Sequence, residues 1–217
     1  MAKKDLKRGI FITLEGPEGC GKSTQSKLLY DYLKEGGYDC IYTHEPGGTK
    51  IGEYIRHILL GLKDINVSDL TELLLFESAR SQIVKEIIRP ALAKRKIIIC
   101  DRFSDATLSY QGYGGKIPIK AIKIIDCIAT GGLEPDLTIL LDIDTIAGLK
   151  RAKKKGVDRM EAKDIAYHRR VRKGYLKLAK GYPDRIKLIK VKDGIDKIQG
   201  LIRRKVELVI RRYKRSG

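Results

Sequence analysis

The 217-residue chain lacks any continuous apolar run near the roughly 20 residues that a membrane-spanning helix needs. Its apolar runs are pieces such as Leu73–Phe76 and Ile97–Cys100, so no transmembrane anchor is expected. The basic start, Lys3-Lys4 to Lys7-Arg8, is followed by an apolar stretch that Glu15 stops before a secretory signal is complete, and the reading is a cytoplasmic protein. Low-complexity tracts and fixed-period repeats are absent, which excludes solenoid and fibrous architectures. Cysteine is scarce: Cys20, Cys40, Cys100 and Cys127 lie far apart with no CxxC pair and no histidine at zinc spacing. Reduced, mostly buried thiols are expected. Acid is scarce in one region only. Residues 1–145 carry 20 Lys/Arg against 20 Asp/Glu, whereas residues 146–217 carry 25 against 7, so the whole net charge of +18 sits in the last third. Such a stripe attracts polyanions. Its only aromatics are Tyr167, Tyr175, Tyr182 and Tyr213, too few for a base-stacking platform, and no specific nucleic-acid partner is expected.

What is present is the composition of a soluble globular protein, 42% hydrophobic and 33% charged, of a length that fits one domain. Strand-length apolar runs occur at Ile10–Glu15, Cys40–His44, Ile97–Asp101, Leu137–Asp142 and Ile186–Val191. Helical periodicity fills the gaps at Lys22–Glu35, Ile51–Leu60, Asp69–Lys94, Pro118–Thr130, Thr145–Lys154, Lys163–Ala179 and Ile195–Tyr213. The alternation predicts an α/β three-layer fold with a parallel sheet covered on both faces. Gly36-Gly37 and Gly131-Gly132 read as left-handed helix ends.

Directly after the first strand comes Gly16-Pro17-Glu18-Gly19-Cys20-Gly21-Lys22-Ser23, with Thr24 next, a G-x-x-x-x-G-K-[ST] pattern that opens a helix. Glycines let backbone N–H groups turn inward around phosphates, the helix adds its positive end, and Lys22 reaches the β/γ-phosphates. Ser23 is a candidate Mg²⁺ ligand. So is Asp101, which ends the Ile97–Asp101 strand. Arg102 beside it can hold a second phosphate bidentately, which suits an acceptor that is itself a phosphate.

Several stretches together resemble the successive motifs of the thymidylate (dTMP) kinase family: Phe11–Ser23, Glu45–Thr49, Asp101-Arg102-Phe103, Tyr110-Gln111-Gly112, Pro135–Thr138 and Asp158–Glu161. They stand in the family's order over about residues 10–180. The resemblance implies a P-loop fold with a five-stranded parallel sheet in a single domain, Mg·ATP as donor, dTMP as acceptor, dTDP and ADP as products, and a homodimer. It implies Phe76 as the platform under the thymine and Arg80, four residues on and so on the same helix face, against its edge. Thr107 would contact the base, Tyr110 would close on the deoxyribose, and Gln111 would line the pocket. Glu18 matches the acidic position that meets the sugar 3′-OH or the metal shell, Arg56 and Arg102 those that hold the acceptor phosphate, and Glu45 the start of the loop shaping that end.

Two departures stand out. His44 occupies a position where many bacterial members carry arginine, and it reads as a structural histidine. The lid, approximately residues 151–163, is richer in lysine than the family's. Because the phosphate loop holds no arginine, a lid cation is expected at the transferred phosphoryl, with Arg151 and Arg159 favoured over Lys153 and Lys155. Rival readings are a P-loop kinase for another nucleotide or a deoxynucleoside, and a basic nucleic-acid-binding P-loop protein.

Overall fold

Apolar runs without polar alternation become strands buried on both faces. In the computed structural model, which describes residues 4–62, 65–153 and 158–214, every residue of β1 (Ile10–Glu15), β3 (Ile97–Asp101) and β4 (Leu137–Asp142) is buried. The edge strands β2 (Cys40–His44) and β5 (Ile186–Lys190) are only partly covered. The five strands form one parallel sheet in the order β2-β3-β1-β4-β5. Its register places Leu14 and His44 on either side of Asp101, so the loops leaving β1, β2 and β3 open on one edge of the sheet. In open parallel sheets that edge is where ligands bind.

Residues alternate between the two faces of β1 and β3. Ile10, Ile12, Leu14, Ile97 and Ile99 pack toward α1 (Lys22–Glu35) and α9 (Ile195–Tyr213), whose Ile198, Ile202, Val206 and Ile210 repeat every four residues as a buried stripe. Phe11, Ile98 and Cys100 pack on the other face beneath α3 (Asp69–Ile83) and α4 (Arg89–Ala93). A third cluster joins Ile122 of α6 (Ile119–Thr130) to Val171, Tyr175 and Leu178 of α8 (Ile165–Gly181). After α1, Gly37 takes φ 84 while Tyr38 N–H bonds Leu33 O at 3.0 Å, a left-handed helix end that favours glycine.

The five strands lie where the apolar runs predict them, β5 ending one residue early at Lys190. The helices differ more. The expected Ile51–Leu60 helix is α2 (Lys50–Arg56) running into a wide π turn, His57–Gly61, closed by Leu62 N–H to His57 O at 3.2 Å. The expected Asp69–Lys94 helix is α3 and α4 joined by a second such turn, Val84–Ile88, directly before Pro90, which has no N–H to donate and crowds the preceding turn. An unanticipated helical segment is α5 (Ser104–Thr107), continuing as a π turn over Leu108–Gly114. The expected Thr145–Lys154 helix is α7 (Thr145–Lys153), Lys154 lying outside the described residues. The expected Lys163–Ala179 helix begins instead at Ile165, because Asp164 caps it by accepting the Tyr167 N–H at 2.6 Å. All four thiols are free, but only Cys20 and Cys100 are buried; Cys127 is exposed on α6, where one face of the helix remains uncovered.

Ile99, fully buried between β1 and β2, tests this architecture. Ile99→Ala should cost about 2–5 kcal/mol in urea unfolding; a loss under about 1 kcal/mol would show that the strand is not central.

Candidate active site

The loop after β1 curls because Gly16, Gly19 and Gly21 hold φ 144, 68 and 90. Gly19 also meets α7 closely: a Cβ there would lie 2.0 Å from Gly148 O, and one on Gly148 would lie 2.3 Å from Glu18 O. Only two glycines permit this backbone contact. No side chain caps α1, which leaves its first N–H groups facing the loop. Lys22 is buried, donating to Gly16 O at 2.9 Å and Pro17 O at 3.0 Å. Ser23 Oγ donates to Asp101 Oδ2 at 2.5 Å, while Asp101 Oδ1 is buried with no partner among the described residues.

Arg102 follows with a left-handed backbone, φ 74. Its Nη2 donates to Glu18 Oε1 at 2.9 Å, its guanidinium lies 4.9 Å from the Tyr110 ring centroid, and its Nη1 is buried with no partner among the described residues. Tyr110 donates its hydroxyl to the same Glu18 oxygen at 2.5 Å. Burial pushes the Glu18 pKa up, but Arg102, Lys22 and the Tyr110 bond outweigh it and bring it down to about 2. Glu18 is a fixed anion inside the loop.

Arg80 sits deeper. Its Nε donates to Glu45 Oε2 at 2.8 Å, and its Nη1 to Glu77 Oε1 at 2.6 Å and Asp126 Oδ1 at 3.1 Å. Three carboxylates around one guanidinium cannot all ionise cheaply away from water. Burial pushes the Glu45 pKa up to about 8 despite Arg80, and Glu77 is raised for the same reason. Arg56 Nη1 donates to Pro46 O at 2.8 Å, and His44 Nε2 pairs with Glu53 at 3.1 Å.

These groups line one cleft of about 630 Å³. It brings together the expected Glu18, Gly19, Gly21, Lys22, Ser23, Thr24 and Asp101 at one end with Glu45, Arg56, Phe76, Arg80, Thr107, Tyr110 and Gln111 at the other, and Arg102 between the two sets. Arg151 of α7 borders it as well. Arg159 does not: its Nε donates to Leu59 O at 2.8 Å and its Nη2 pairs with buried Glu72 at 2.8 Å. Gly16, Pro17 and Cys20 contribute loop shape rather than cleft surface, and Lys155 lies outside the described residues. Sequence reasoning missed Gly148, Glu72, Asp158, Met160 and Glu161. The last three fall within a quoted motif, which was the available signal; Gly148 and Glu72 gave none.

A glycine-rich loop on the carboxyl edge of a parallel sheet, ahead of a helix that begins with Lys-Ser, defines the class of P-loop phosphotransferases. Within it, the chain belongs to the thymidylate kinase family, whose model matches residues 14–202. It is 50% identical over 176 residues to a thymidylate kinase of Dehalococcoides mccartyi, covering 81% of this chain and 85% of the relative. It is 46% identical over 191 residues to that of Caldanaerobacter subterraneus subsp. tengcongensis, covering 88% and 90%. The crystal structure of thymidylate kinase from Ehrlichia chaffeensis superposes with a TM-score of 0.77 at 34% identity, covering 92% of this chain and 98% of that one.

A carboxyl whose pKa is raised on folding stabilises the folded state while protonated. The contribution of Glu45 is therefore complete below its ordinary value of 4.5 and is lost as pH rises through about 8. Glu45→Gln, which stays neutral, should lose less of its urea midpoint between pH 5 and pH 9 than the wild type does; an equal or larger loss would exclude Glu45 as the titrating group.

Proposed function

We propose that the chain transfers the γ-phosphoryl group of ATP to the 5′-phosphate of dTMP, giving dTDP and ADP. The observation that carries the reading is Arg102, a half-buried cation that lines the cleft next to the phosphate loop and whose Nη1 has no protein partner among the described residues. A deoxynucleoside acceptor would leave it unpaired, whereas an acceptor phosphate satisfies it. Arg56 lines the same cleft. The hydroxyl and carboxylate of Ser23 and Asp101 are hard oxygen donors that fit Mg²⁺, with the unpaired Asp101 Oδ1 available to it or to one of its waters. When bound, that ion supplies charge neutralisation at the β- and γ-phosphates.

An acceptor phosphate oxygen attacks the γ-phosphorus as the bond to the bridging oxygen of the departing ADP breaks. Charge spreads over the equatorial oxygens, so the protein's work is orientation and cationic stabilisation rather than proton transfer. Lys22 acts from the loop and Arg151 from α7. Phe76 supports the base, Arg80, Thr107 and Gln111 face its edge, and Tyr110 closes on the sugar, its hydroxyl fixed by Glu18. Residues 1–217 act as a single domain with 151–163 as the lid, which also excludes water. The exposed apolar residues Leu70 and Leu74 of α3 and Ile124 and Ile128 of neighbouring α6 support a homodimer through these helices. None of the described helices is long and apolar enough to cross a membrane, which accords with a cytoplasmic enzyme.

Two measurements test the reading. Lys22→Ala should fold normally and lose on the order of 10²–10³ in turnover; near-normal turnover would overturn the site. Among acceptors, dUMP should be used less well than dTMP, by roughly 10–200-fold in kcat/KM for the missing methyl, and dGMP scarcely at all. Equal values for dTMP and dGMP would sink the thymidylate assignment.

A further inference from the structure

Glu72 lies in the first turn of α3, almost fully buried, and belongs to neither end of the cleft. Three groups from two separate parts of the chain converge on it. Gln111 Nε2 donates to its Oε1 at 2.9 Å, Lys163 Nζ lies 3.3 Å from both oxygens, and Arg159 Nη2 is 2.8 Å from Oε2. Gln111 is itself buried and lines the acceptor end of the cleft. Arg159 and Lys163 flank Met160 and Glu161, which line it from the other side. The second hold on Arg159, Leu59 O, belongs to the π turn after α2. One carboxylate therefore fastens the 158–163 segment to α3 and to the amide that faces the acceptor.

We propose that Glu72 is a positioning residue that couples the seating of the 158–163 segment to the orientation of the Gln111 amide, so that the cleft is assembled for transfer only when both are in place. The proposal rests on the kinase reading above. Arg159 then serves as an anchor rather than as the cation at the transferred phosphoryl, which leaves that role to Arg151. Two cations on one buried carboxylate give a net positive cluster, and neutralising its centre leaves Arg159 and Lys163 without their counter-charge. Gln111 can still donate to a glutamine oxygen at position 72, so Glu72→Gln separates the two functions of the residue.

The experiment combines steady-state kinetics with limited trypsin digestion of the full chain. In Glu72→Gln, kcat should fall about ten-fold, KM for dTMP should change less than about two-fold, and cleavage after Arg159 and Lys163 should quicken by about ten-fold or more. Arg159→Met should lower kcat similarly, and adding Glu72→Gln to it should lower kcat by less than a further two-fold, since both changes break one contact. Should Glu72→Gln not fold, Arg159→Met with Lys163→Met must show the same loss of kcat. Wild-type kcat in a folded variant, unchanged digestion in Glu72→Gln, or losses that multiply in the double variant would each overturn the proposal. The digestion readout needs no catalysis, so a wild type inactive on dTMP would defeat the kinase reading while leaving the anchoring measurable.

Discussion

The site depends on the ion pair between Arg102 at the end of β3 and Glu18 inside the phosphate loop. Both groups are largely but not wholly withdrawn from water, and their attraction together with the Tyr110 hydrogen bond must offset the lost solvation. Arg102 also holds a left-handed backbone, a conformation that costs roughly 1–3 kcal/mol for a residue with a side chain. The turn is secured by Arg102 N–H on Leu14 O at 3.1 Å and Phe103 N–H on Glu15 Oε1 at 2.7 Å. Glu15, buried at the end of β1, takes a further bond from Tyr175 at 2.8 Å. Donor and acceptor ends of the cleft thus share a wall whose charges leave one guanidinium nitrogen without a protein partner.

The acceptor end is built on a different principle. Arg80 is surrounded by more carboxyl groups than it can neutralise, and protons make up part of the difference. A wall of this kind is stiff, because each group is fixed by others, and it presents hydrogen-bonding edges with little net field. That suits recognition of an uncharged base, in keeping with the roles proposed for Arg102 and Arg56 at the acceptor phosphate.

How much of this the sequence discloses follows from where each signal originates. Strands buried on both faces are apolar apart from polar groups that find partners, such as Thr13 and Thr138, so β1, β3 and β4 are visible as predominantly apolar runs. The phosphate loop is visible because its positive backbone angles favour glycine at three positions. The helical segment over residues 104–114 is invisible for the opposite reason: nearly all of it is buried, so no amphipathic period marks it, and its polar residues serve the site. Phe76 and Arg80 share a helix face as their spacing implies and Glu77 is a local partner on the same helix, but the other two carboxylates around Arg80, Glu45 and Asp126, come from a loop and from α6, which no local pattern announces. Glu72 reads as an ordinary acid in the first turn of a helix until the tertiary fold brings Gln111, Arg159 and Lys163 to it.

The backbone contact between Gly19 and Gly148 has a bearing on how such an enzyme can vary. It ties α7 to the phosphate cradle with no side chain between them, so the donor half of the cleft admits almost no gradual change: a single added methyl meets a carbonyl oxygen. The acceptor half is assembled from side chain to side chain, as where Arg80 meets Glu45, Glu77 and Asp126, and a link of that kind can be exchanged for another of similar reach. Divergence in what the enzyme phosphorylates is therefore open to stepwise substitution, whereas the phosphoryl donor is fixed by the main chain itself.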